Sequence, residues 1–271
     1  MDLHKTEQRN PNSMNFDKLS TMEMAKLIIC ANYDAVRAVE EACESISKAI
    51  DAVAAAFEKG GRLFYVGAGT SGRLGVIDAS ECPPTFGVSY EQVQGIIAGG
   101  KERMFSAAEN AEDKYDNGCA DVAQKNVNSN DVVVGISAAG NASYVLGAIE
   151  EASRRGAVTV GLSCNEGTLI LKAADIAILT DTGAEIIAGS TRLKAGTAQK
   201  IVLNAISTCA MAKTGKIYEN MMINVSSTNE KLRGRVIRIV SEILSCDEEE
   251  AEKRLSEHNF VIRDTVEAYK H

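Results

Sequence analysis

Residues 61–87 are the stretch that most restricts how this chain can fold, and they read GRLFYVGAGTSGRLGVIDASECPPTFG. The apolar run at 62–66 predicts a buried strand, and the glycine-rich segment 67–72 predicts a tight turn. From Arg73 the pattern is helical as far as Pro83 and Pro84, where we expect the helix to stop. A strand, a glycine turn and a helix start form an anion site, because free N–H groups in the first helical turn favour a phosphate.

The turn matches the G-x-G-x-x-G pattern of dinucleotide-binding folds, but its surroundings do not. Those folds place an acidic residue at the end of the second strand, about 20 residues further on. Here the second apolar run, 93–98, ends in Gly99 and Gly100. A P-loop is excluded because no Gly-Lys-Ser/Thr follows. The hydroxyls of Thr70 and Ser71 suit a compact phosphate monoester, and the alternative is a tight turn that binds no ligand.

Strands and helices alternate through the middle of the chain. The candidate strands are 62–66, 93–98, 131–136, 157–163 and 175–180, and the candidate helices between them are 72–79, 101–109, 114–125 and 142–155. The third and fourth strands are apolar on both faces, as in a parallel sheet covered on both sides. The sequence therefore predicts an α/β fold with a doubly wound, mainly parallel five-stranded sheet in an α-β-α sandwich.

Helical segments flank this sheet in the sequence. Residues 1–19 have little periodicity and are interpreted as a disordered terminus or as an arm that packs near a site. Residues 20–59 are helical in pattern and begin with a capping-box signature at Ser20 and Glu23. A long helix at 195–214 follows the sheet, and three short helices are expected at 228–244, 247–257 and 259–269. We divide the chain into an arm with helices (1–60), a sheet domain (61–226) and a small helical appendage (227–271).

Composition argues against several classes of function. The net charge of −8 and the lack of a basic run give no support for nucleic-acid binding. The first 15 residues are unlike a signal peptide, and no apolar run approaches the roughly 18 residues that span a membrane. Seven scattered cysteines without a C-x-x-C pair favour reduced thiols in the cytoplasm and argue against structural zinc. The three histidines lie near the chain ends, so acid–base chemistry has to use carboxylates, Lys, Tyr or Cys.

Small polar side chains follow several of the predicted strands. In a parallel sheet the carboxyl ends of the strands share one edge, and ligands bind beyond that edge. Each loop alone is explained most simply by turn chemistry, but several loops on one edge predict a phosphate or sugar-phosphate site. The candidate substrate-binding residues are Thr70, Ser71, Gly72, Ser137, Asn141, Ser190, Thr191 and Lys194.

Two carboxylates are the candidate catalytic groups. Glu81 lies in a mostly apolar helix just before two prolines, and Glu112 lies where the chain turns between two predicted helices. Taken singly, each is explained most simply as a surface acid at a helix end. Two acids that flank a bound sugar could act as general acid and base, each worth roughly 10²–10⁴-fold in rate. The sequence alone does not bring them together.

In these motifs the chain resembles the sugar isomerase (SIS) domain superfamily and, within it, the N-acetylmuramic acid 6-phosphate etherase family. The resemblance spans residues 6–270 and rests on the segments TEQRNP (6–11), GAGTSGR (67–73), DASECPPTF (78–86), ENAED (109–113) and AGSTRLKAGTAQK (188–200). The glycine loop alone indicates only a SIS domain. The SECPP block and the 189–200 block are typical of the etherases and of the related glucokinase regulatory protein, whose longer chain carries two SIS domains.

The resemblance implies a reaction and a set of roles. The D-lactyl ether at C3 of N-acetylmuramic acid 6-phosphate would be cleaved by elimination and hydration, which gives N-acetylglucosamine 6-phosphate and D-lactate in cell-wall amino-sugar recycling. Matching motifs put the acid on Glu81 and the second acid–base group on Glu112, with no metal or redox cofactor. The family also implies a cytoplasmic homodimer whose site lies near the subunit interface.

One loop departs from the family, and two other functions stay as alternatives. After the third strand the family usually has a Ser-Gly-Arg-Thr-Pro-like run, whereas residues 139–143 here read AGNAS. Ser137 is retained and Asn141 can still donate through its amide, so the contribution of this loop to phosphate binding is left open. The alternatives are a sugar-phosphate sensor that binds a protein partner without turnover, and an aldose–ketose isomerase.

Overall fold

The structure is a computed structural model that describes residues 4–106, 110–224 and 230–269. Its helices and strands alternate through the middle of the chain, as predicted. In chain order they are α1 (Thr21–Glu41), α2 (Cys43–Glu58), β1 (Leu63–Gly67), α3 (Gly69–Phe86), β2 (Val93–Ile97), α4 (Tyr115–Gln124), β3 (Val132–Ile136), α5 (Ser143–Arg154), β4 (Val158–Ser163), α6 (Leu169–Ala173), β5 (Ile176–Leu179), α7 (Lys194–Lys213), β6 (Ile217–Tyr218), β7 (Met221–Met222), α8 (Glu230–Leu244), α9 (Glu248–Glu257) and α10 (Ile262–Tyr269).

The five longer strands form one parallel sheet in the order β2-β1-β3-β4-β5. The predicted doubly wound sheet is therefore confirmed. The chain passes from β2 on one side of β1 to β3 on the other, so the strand order reverses at β1. Ligands of open α/β sheets bind at such a reversal, beyond the carboxyl ends of the strands. The glycine loop that follows β1 lies at this point.

Two apolar layers cover the sheet, and its strands are therefore buried on both faces. One layer packs α2, α3 and α7 on side chains such as Leu63, Tyr65 and Val134. The other packs α4, α5 and α6 on Phe64, Val66 and Val133. The alternation of consecutive residues between the two layers is the two-residue period of a strand. The sheet is thus the rigid base on which the loops at its carboxyl edge are held.

Helix α3 differs from the prediction at both ends. It begins at Gly69 and runs through Pro83 and Pro84 to Phe86, where it was expected to stop before the prolines. A proline lacks only its backbone donor, and the carbonyl of Pro83 still accepts from Gly87 N at 2.9 Å. Gly87 then closes the helix in the left-handed region at φ 64°. The helix therefore continues through both prolines and ends at the Gly87 cap, later than the sequence suggested.

Other boundaries also moved. The helical pattern at 20–59 forms two helices that meet at Ala42, and the predicted capping box at Ser20 and Glu23 is present. The helix expected at 101–109 is a short 3-10 turn, Lys101–Met104, and residues 107–109 of that prediction lie outside the described residues. Helix α6 and the two-residue strands β6 and β7 were not predicted, because such short elements have too few residues to show a period.

The three C-terminal helices pack on one another around a separate apolar cluster. Val236, Val240, Leu255 and Ile262 are buried in it, and Ile223 beside the β6–β7 hairpin joins them. The predicted boundary between 226 and 227 lies outside the described residues, so the division into domains stays a prediction. In the parts of the chain that the structure describes, no helix combines the length and apolar character needed to cross a membrane.

Candidate active site

The glycine loop is shaped by how closely β1 approaches the first turn of α3. A Cβ on Gly67 would lie 2.7 Å from the backbone nitrogen of Gly72, and a Cβ on Gly72 would lie 2.5 Å from the Gly67 oxygen. Gly69 has φ 53°, a conformation that favours glycine. The residue before the helix is Ala68, whose side chain has no acceptor. The N–H groups at the start of α3 therefore point beyond the sheet edge with no side-chain cap, as an anion site requires.

The first turns of α3 and α7 meet at this loop. The Ser71 hydroxyl donates to Gln199 Oε1 at 2.9 Å. A Cβ on Gly196 would lie 3.6 Å from Thr70 Cγ2, an ordinary van der Waals distance, so the start of α7 lies close to Thr70. Ser71 and Gln199 are both buried. The structure thus brings the predicted residues Thr70, Ser71 and Gly72 next to the 188–200 block that follows the fifth strand.

Lys194 lies at the start of α7 and is buried, with a side chain only 3% exposed. Its ammonium donates to Asp34 Oδ2 at 3.2 Å. Its backbone N–H and that of Ala195 donate to the carboxylate of Glu185, at 3.0 and 2.9 Å. Burial raises the pKa of Glu185, and the two backbone donors and the Lys194 charge oppose that rise. A buried carboxylate therefore occupies the N-terminus of α7, while the N-terminus of α3 is left to a ligand.

Ser190 and Thr191 form the turn that leads into α7. The Thr191 carbonyl accepts from Gly196 N at 2.9 Å, and both residues are half-buried. A Cβ on Gly196 would lie 3.4 Å from the Thr191 carbonyl oxygen and 3.6 Å from Thr70 Cγ2, so Thr191 and Thr70 both lie close to the start of α7. The structure therefore brings Thr191 near Thr70, and Ser190 precedes it in the chain, whereas the role of both residues in substrate binding stays a prediction.

The loop after β3 is tied to the N-terminal arm. Ser137 Oγ accepts from Gly140 N at 3.0 Å, and Asn141 Oδ1 accepts from Leu169 N at 3.1 Å. The amide nitrogen of Asn141 lies 2.7 Å from Nε2 of His4. Both polar ends of Asn141 are therefore engaged within the chain.

The arm packs on this edge rather than extending into solvent. Thr6 is fully buried, its hydroxyl accepts from Asn165 Nδ2 at 3.0 Å, and its carbonyl accepts from Gly189 N at 3.0 Å. Ser13 donates to the Ile186 carbonyl at 2.7 Å. Of the two interpretations of residues 1–19, the described part, from His4 onward, fits an arm that packs near a site.

Glu112 lines a small cavity of about 150 Å³ beside the glycine loop. The cavity is also lined by Gly69, Arg73 and Arg103, so two arginines share it with Glu112. Arg73 donates to the carbonyls of Met104 and Ser106 at 3.1 and 2.9 Å. Arg73 therefore fixes the wall of the cavity, and Glu112 faces the same helix start as the predicted phosphate site.

Glu81 lies at the other end of α3. It is exposed and is not among the residues that line the Glu112 cavity. Glu81 follows Gly69 by twelve residues, which at 1.5 Å per residue is about 18 Å along the helix axis. Carboxylates that act on one sugar from two sides in glycoside hydrolases lie only about 5–10 Å apart. The α3 residue nearest to Glu81 that lines the cavity is Arg73, eight residues or about 12 Å away along the axis, so α3 carries Glu81 away from the Glu112 cavity.

Sequence reasoning did not assign roles to several residues at this edge. Gln199 was quoted within a motif, yet its contact with Ser71 depends on how α3 and α7 pack. Arg73, Glu185 and His4 also lie at this edge, but only the folded structure places them there. The residue type of Gln199 could have indicated this contact, because a polar side chain among the apolar residues of a buried helix needs a hydrogen-bond partner. Within the described residues, no cluster of three His, Cys, Asp or Glu side chains could hold a metal ion.

The sheet order and the hydroxyl-bearing loops at its carboxyl edge define a SIS domain. Residues 103–208 match the family described as SIS domain, and residues 45–153 match the glucokinase regulatory protein N-terminal SIS domain. Among solved structures, a phosphoheptose isomerase from Francisella tularensis is similar with a TM-score of 0.54 and 17% identity, over 72% of this chain and 100% of that one. That likeness shows the fold.

Curated relatives identify the family within this superfamily. The N-acetylmuramic acid 6-phosphate etherase of Aeromonas hydrophila is 50% identical to this chain, over 93% of this chain and 85% of the relative. The etherase of Clostridium botulinum is 49% identical, over 97% of this chain and 87% of the relative. An N-acetylmuramic acid 6-phosphate etherase 2 from Vibrio cholerae is 51% identical over 94% and 83%. The chain belongs to the N-acetylmuramic acid 6-phosphate etherase family.

Proposed function

We propose that this protein cleaves the D-lactyl ether of N-acetylmuramic acid 6-phosphate, a step in cell-wall amino-sugar recycling. The products are N-acetylglucosamine 6-phosphate and D-lactate. The observation that carries the proposal is the position of Glu112, which lines a cavity at the uncapped start of α3. Identity of about half to etherases over nearly the whole chain supports the same substrate.

The phosphate of the substrate binds at the start of α3. The N–H groups of its first turn supply a fixed positive potential. The hydroxyls of Thr70 and Ser71 add donors there. Ser190 and Thr191 lie in the turn that precedes α7. Lys194 at the start of α7 supplies a buried ammonium, whose charge Asp34 partly balances. Such local positive groups offset the net charge of −8.

The chemistry needs two groups that move protons. The sugar ring opens to the C1 aldehyde, which acidifies the proton on C2. A base removes that proton, the C3–O bond breaks, and an acid protonates the departing oxygen so that D-lactate leaves. Water then adds its hydroxyl to C3 and a proton to C2 of the enal. We assign the acid to Glu81 and the second acid–base group to Glu112. Elimination and hydration together are a net hydrolysis, so no redox cofactor takes part.

The two acids meet if the protein is a homodimer whose sites lie at the subunit interface. On α3, Glu81 lies eight residues, or about 12 Å, beyond Arg73, the last residue of that helix that lines the Glu112 cavity, so Glu81 would come from the second subunit. One helical turn before Glu81, Ile77 is 52% exposed. On α1, Met22, Ile29 and Tyr33 are 62–65% exposed. The exposed apolar side chain of Ile77 beside Glu81 supports a subunit contact there, and the exposed side chains on α1 are further apolar surface that a second subunit would cover.

A sensor of the glucokinase regulatory type and an isomerase are the alternatives. The sensor would bind a sugar phosphate and a partner protein without turnover, but the identity to etherases supports the enzyme. The isomerase shares removal of the C2 proton, and the likeness to a phosphoheptose isomerase extends to the fold alone. Conversion of fructose 6-phosphate would favour the isomerase. We also propose a cytoplasmic location, since the seven cysteines are all unpaired thiols.

The test is D-lactate release from N-acetylmuramic acid 6-phosphate in ¹⁸O water. We expect unlabelled lactate and ¹⁸O at C3 of the sugar, because water adds to the sugar carbon after elimination. Label in the lactate would mean attack on the lactyl side, and the elimination mechanism would be wrong. No lactate, with a raised melting temperature in the presence of the sugar phosphate, would favour the sensor.

A further inference from the structure

Gln199 is a buried side chain at the phosphate site to which the mechanism above gives no task. It is 1% exposed and lies on α7, one turn after Gly196, which contacts Thr70. Its amide oxygen accepts the hydroxyl hydrogen of Ser71 at 2.9 Å. Ser71 is therefore a donor to the protein in the absence of ligand, and its hydrogen is not available to a phosphate oxygen.

The other end of the same amide is unsatisfied. Gln199 Nε2 is buried and has no hydrogen-bond partner among the residues that the structure describes. A buried donor without a partner costs free energy, and such groups in native proteins call for an explanation. The amide oxygen and nitrogen occupy equivalent positions, so a half-turn about Cγ–Cδ puts Nε2 where Oε1 now contacts Ser71. The hydrogen bond then persists with its direction reversed.

We propose that Gln199 is a positioning residue that reverses this hydrogen bond when phosphate binds. In the reversed state Nε2 donates to Ser71 Oγ, and the Ser71 hydrogen is free to donate to a phosphate oxygen. The inference rests on the proposed sugar-phosphate site at the start of α3. It explains why an amide stands here, since an amide is both donor and acceptor.

Other side chains of similar size cannot both donate and accept a hydrogen bond at this position. An ionised Glu at this position only accepts, so it would keep the Ser71 hydrogen and repel the phosphate. A Met neither donates nor accepts a strong hydrogen bond, so it would leave Ser71 without an anchor. The Ser71 hydroxyl cannot be fixed from the start of α3 alone, because the first-turn N–H groups face the ligand. The direction of one hydrogen bond between α3 and α7 thus controls phosphate affinity.

The experiment compares Gln199→Glu and Gln199→Met with wild type, using inorganic phosphate as the probe. Phosphate affinity is measured by calorimetry and as competitive inhibition of lactate release. We expect the affinity to fall about 10–100-fold in Gln199→Glu, which corresponds to one lost hydrogen bond to a charged group. The fall in kcat at saturating substrate should be much smaller, because Gln199 touches no reacting atom.

Two controls separate this role from a structural one. Gln94→Glu makes the same exchange at a buried glutamine in the second residue of β2, at the opposite end of the sheet, and should keep wild-type phosphate affinity. In a Ser71→Ala background, Gln199→Glu should lower phosphate affinity less than it does in wild type, because only the charge repulsion remains once the hydroxyl partner is gone. An undiminished fall in that background would overturn the proposal.

Unchanged phosphate affinity in folded Gln199→Glu would also overturn it. If the buried carboxylate prevents folding, Gln199→Met decides instead, and wild-type affinity in that variant is the contrary result. The calorimetric arm does not depend on turnover. A wild-type protein that binds phosphate but releases no lactate would therefore count against the etherase and leave the Gln199 comparison intact.

Discussion

Mixed dimers of two inactive variants provide the sharpest test of where the acids act. Glu81→Gln and Glu112→Gln each remove one proton-transfer group, so each homodimer should lose roughly 10²–10⁴-fold in kcat. If every site combines Glu112 of one subunit with Glu81 of the other, a mixed dimer contains one site with both acids intact and one site with neither. Activity therefore returns when the two inactive proteins share a dimer.

The expected size of the recovered activity follows from this arrangement of sites. Random pairing makes half of the dimers mixed, and half of their sites are intact, so the mixture should recover about a quarter of wild-type activity. Purified mixed dimers, isolated with two affinity tags after co-expression, should recover about half. The inactive parent homodimers should retain about 1% or less of wild-type activity, so recovery to a quarter of that activity is a rise of at least about 25-fold. The assay is D-lactate release at saturating substrate.

The same experiment can refute the geometry. If both acids of a site came from one chain, every site in a mixed dimer would lack one acid, and the activity would stay at the level of the parents. Tagged dimers of Glu81→Gln with itself serve as the matched control and should remain inactive. A protein that sediments as a monomer while fully active would equally contradict the shared site.

Three further predictions concern stability and reactivity. Ala142 precedes α5 without a side-chain cap, so Ala142→Ser should add about 1 kcal/mol and raise Tm by about 2–4 °C in calorimetry; an unchanged Tm would contradict this. Burial raises the pKa of the Cys82 thiol to about 12, so in native protein at pH 8 a disulfide reagent should label exposed Cys209 and spare Cys82, as mapped by mass spectrometry. Asp131 is 1% exposed and accepts from Arg62 Nη2 at 2.7 Å, so Asp131→Ala should cost about 3–5 kcal/mol in urea unfolding; a loss under 1 kcal/mol or so would show that the pair is effectively solvated.

The sheet could be predicted because its signals are local. A strand buried on both faces is a continuous apolar run, and residues 132–136 and 158–163 show that run clearly. The capping box at Ser20 and the left-handed glycine at 60 are likewise set by neighbours in sequence. The prolines at 83 and 84 led us to end the helix too early. A proline removes one donor to the preceding turn, but its own carbonyl can still accept, as that of Pro83 does from Gly87 N.

The candidate site could be predicted only in part. The loops that follow strands share an edge in any parallel sheet, so the meeting of Thr70 and Ser71 with the 188–200 block followed from topology. The contact of Ser71 with Gln199 did not, because it depends on the packing of two helices more than 120 residues apart. The arm is similar, since Thr6 becomes buried only when residues from the loops after β4 and β5 close over it.

The position of Glu81 on α3 bears on how the family motif SECPP could act. Helix α3 starts at the proposed phosphate site and runs away from the sheet edge, so a residue three turns along it lies on another part of the surface. Asp78, one turn before Glu81, is buried and accepts from Asn204 at 2.6 Å and from Ser207 at 3.2 Å on α7. That buried contact fixes the turn that carries Glu81 against α7, the helix whose other end borders the proposed phosphate site. Glu81 is therefore held on a fixed turn while its side chain stays exposed, which is compatible with the proposed action in a neighbouring subunit.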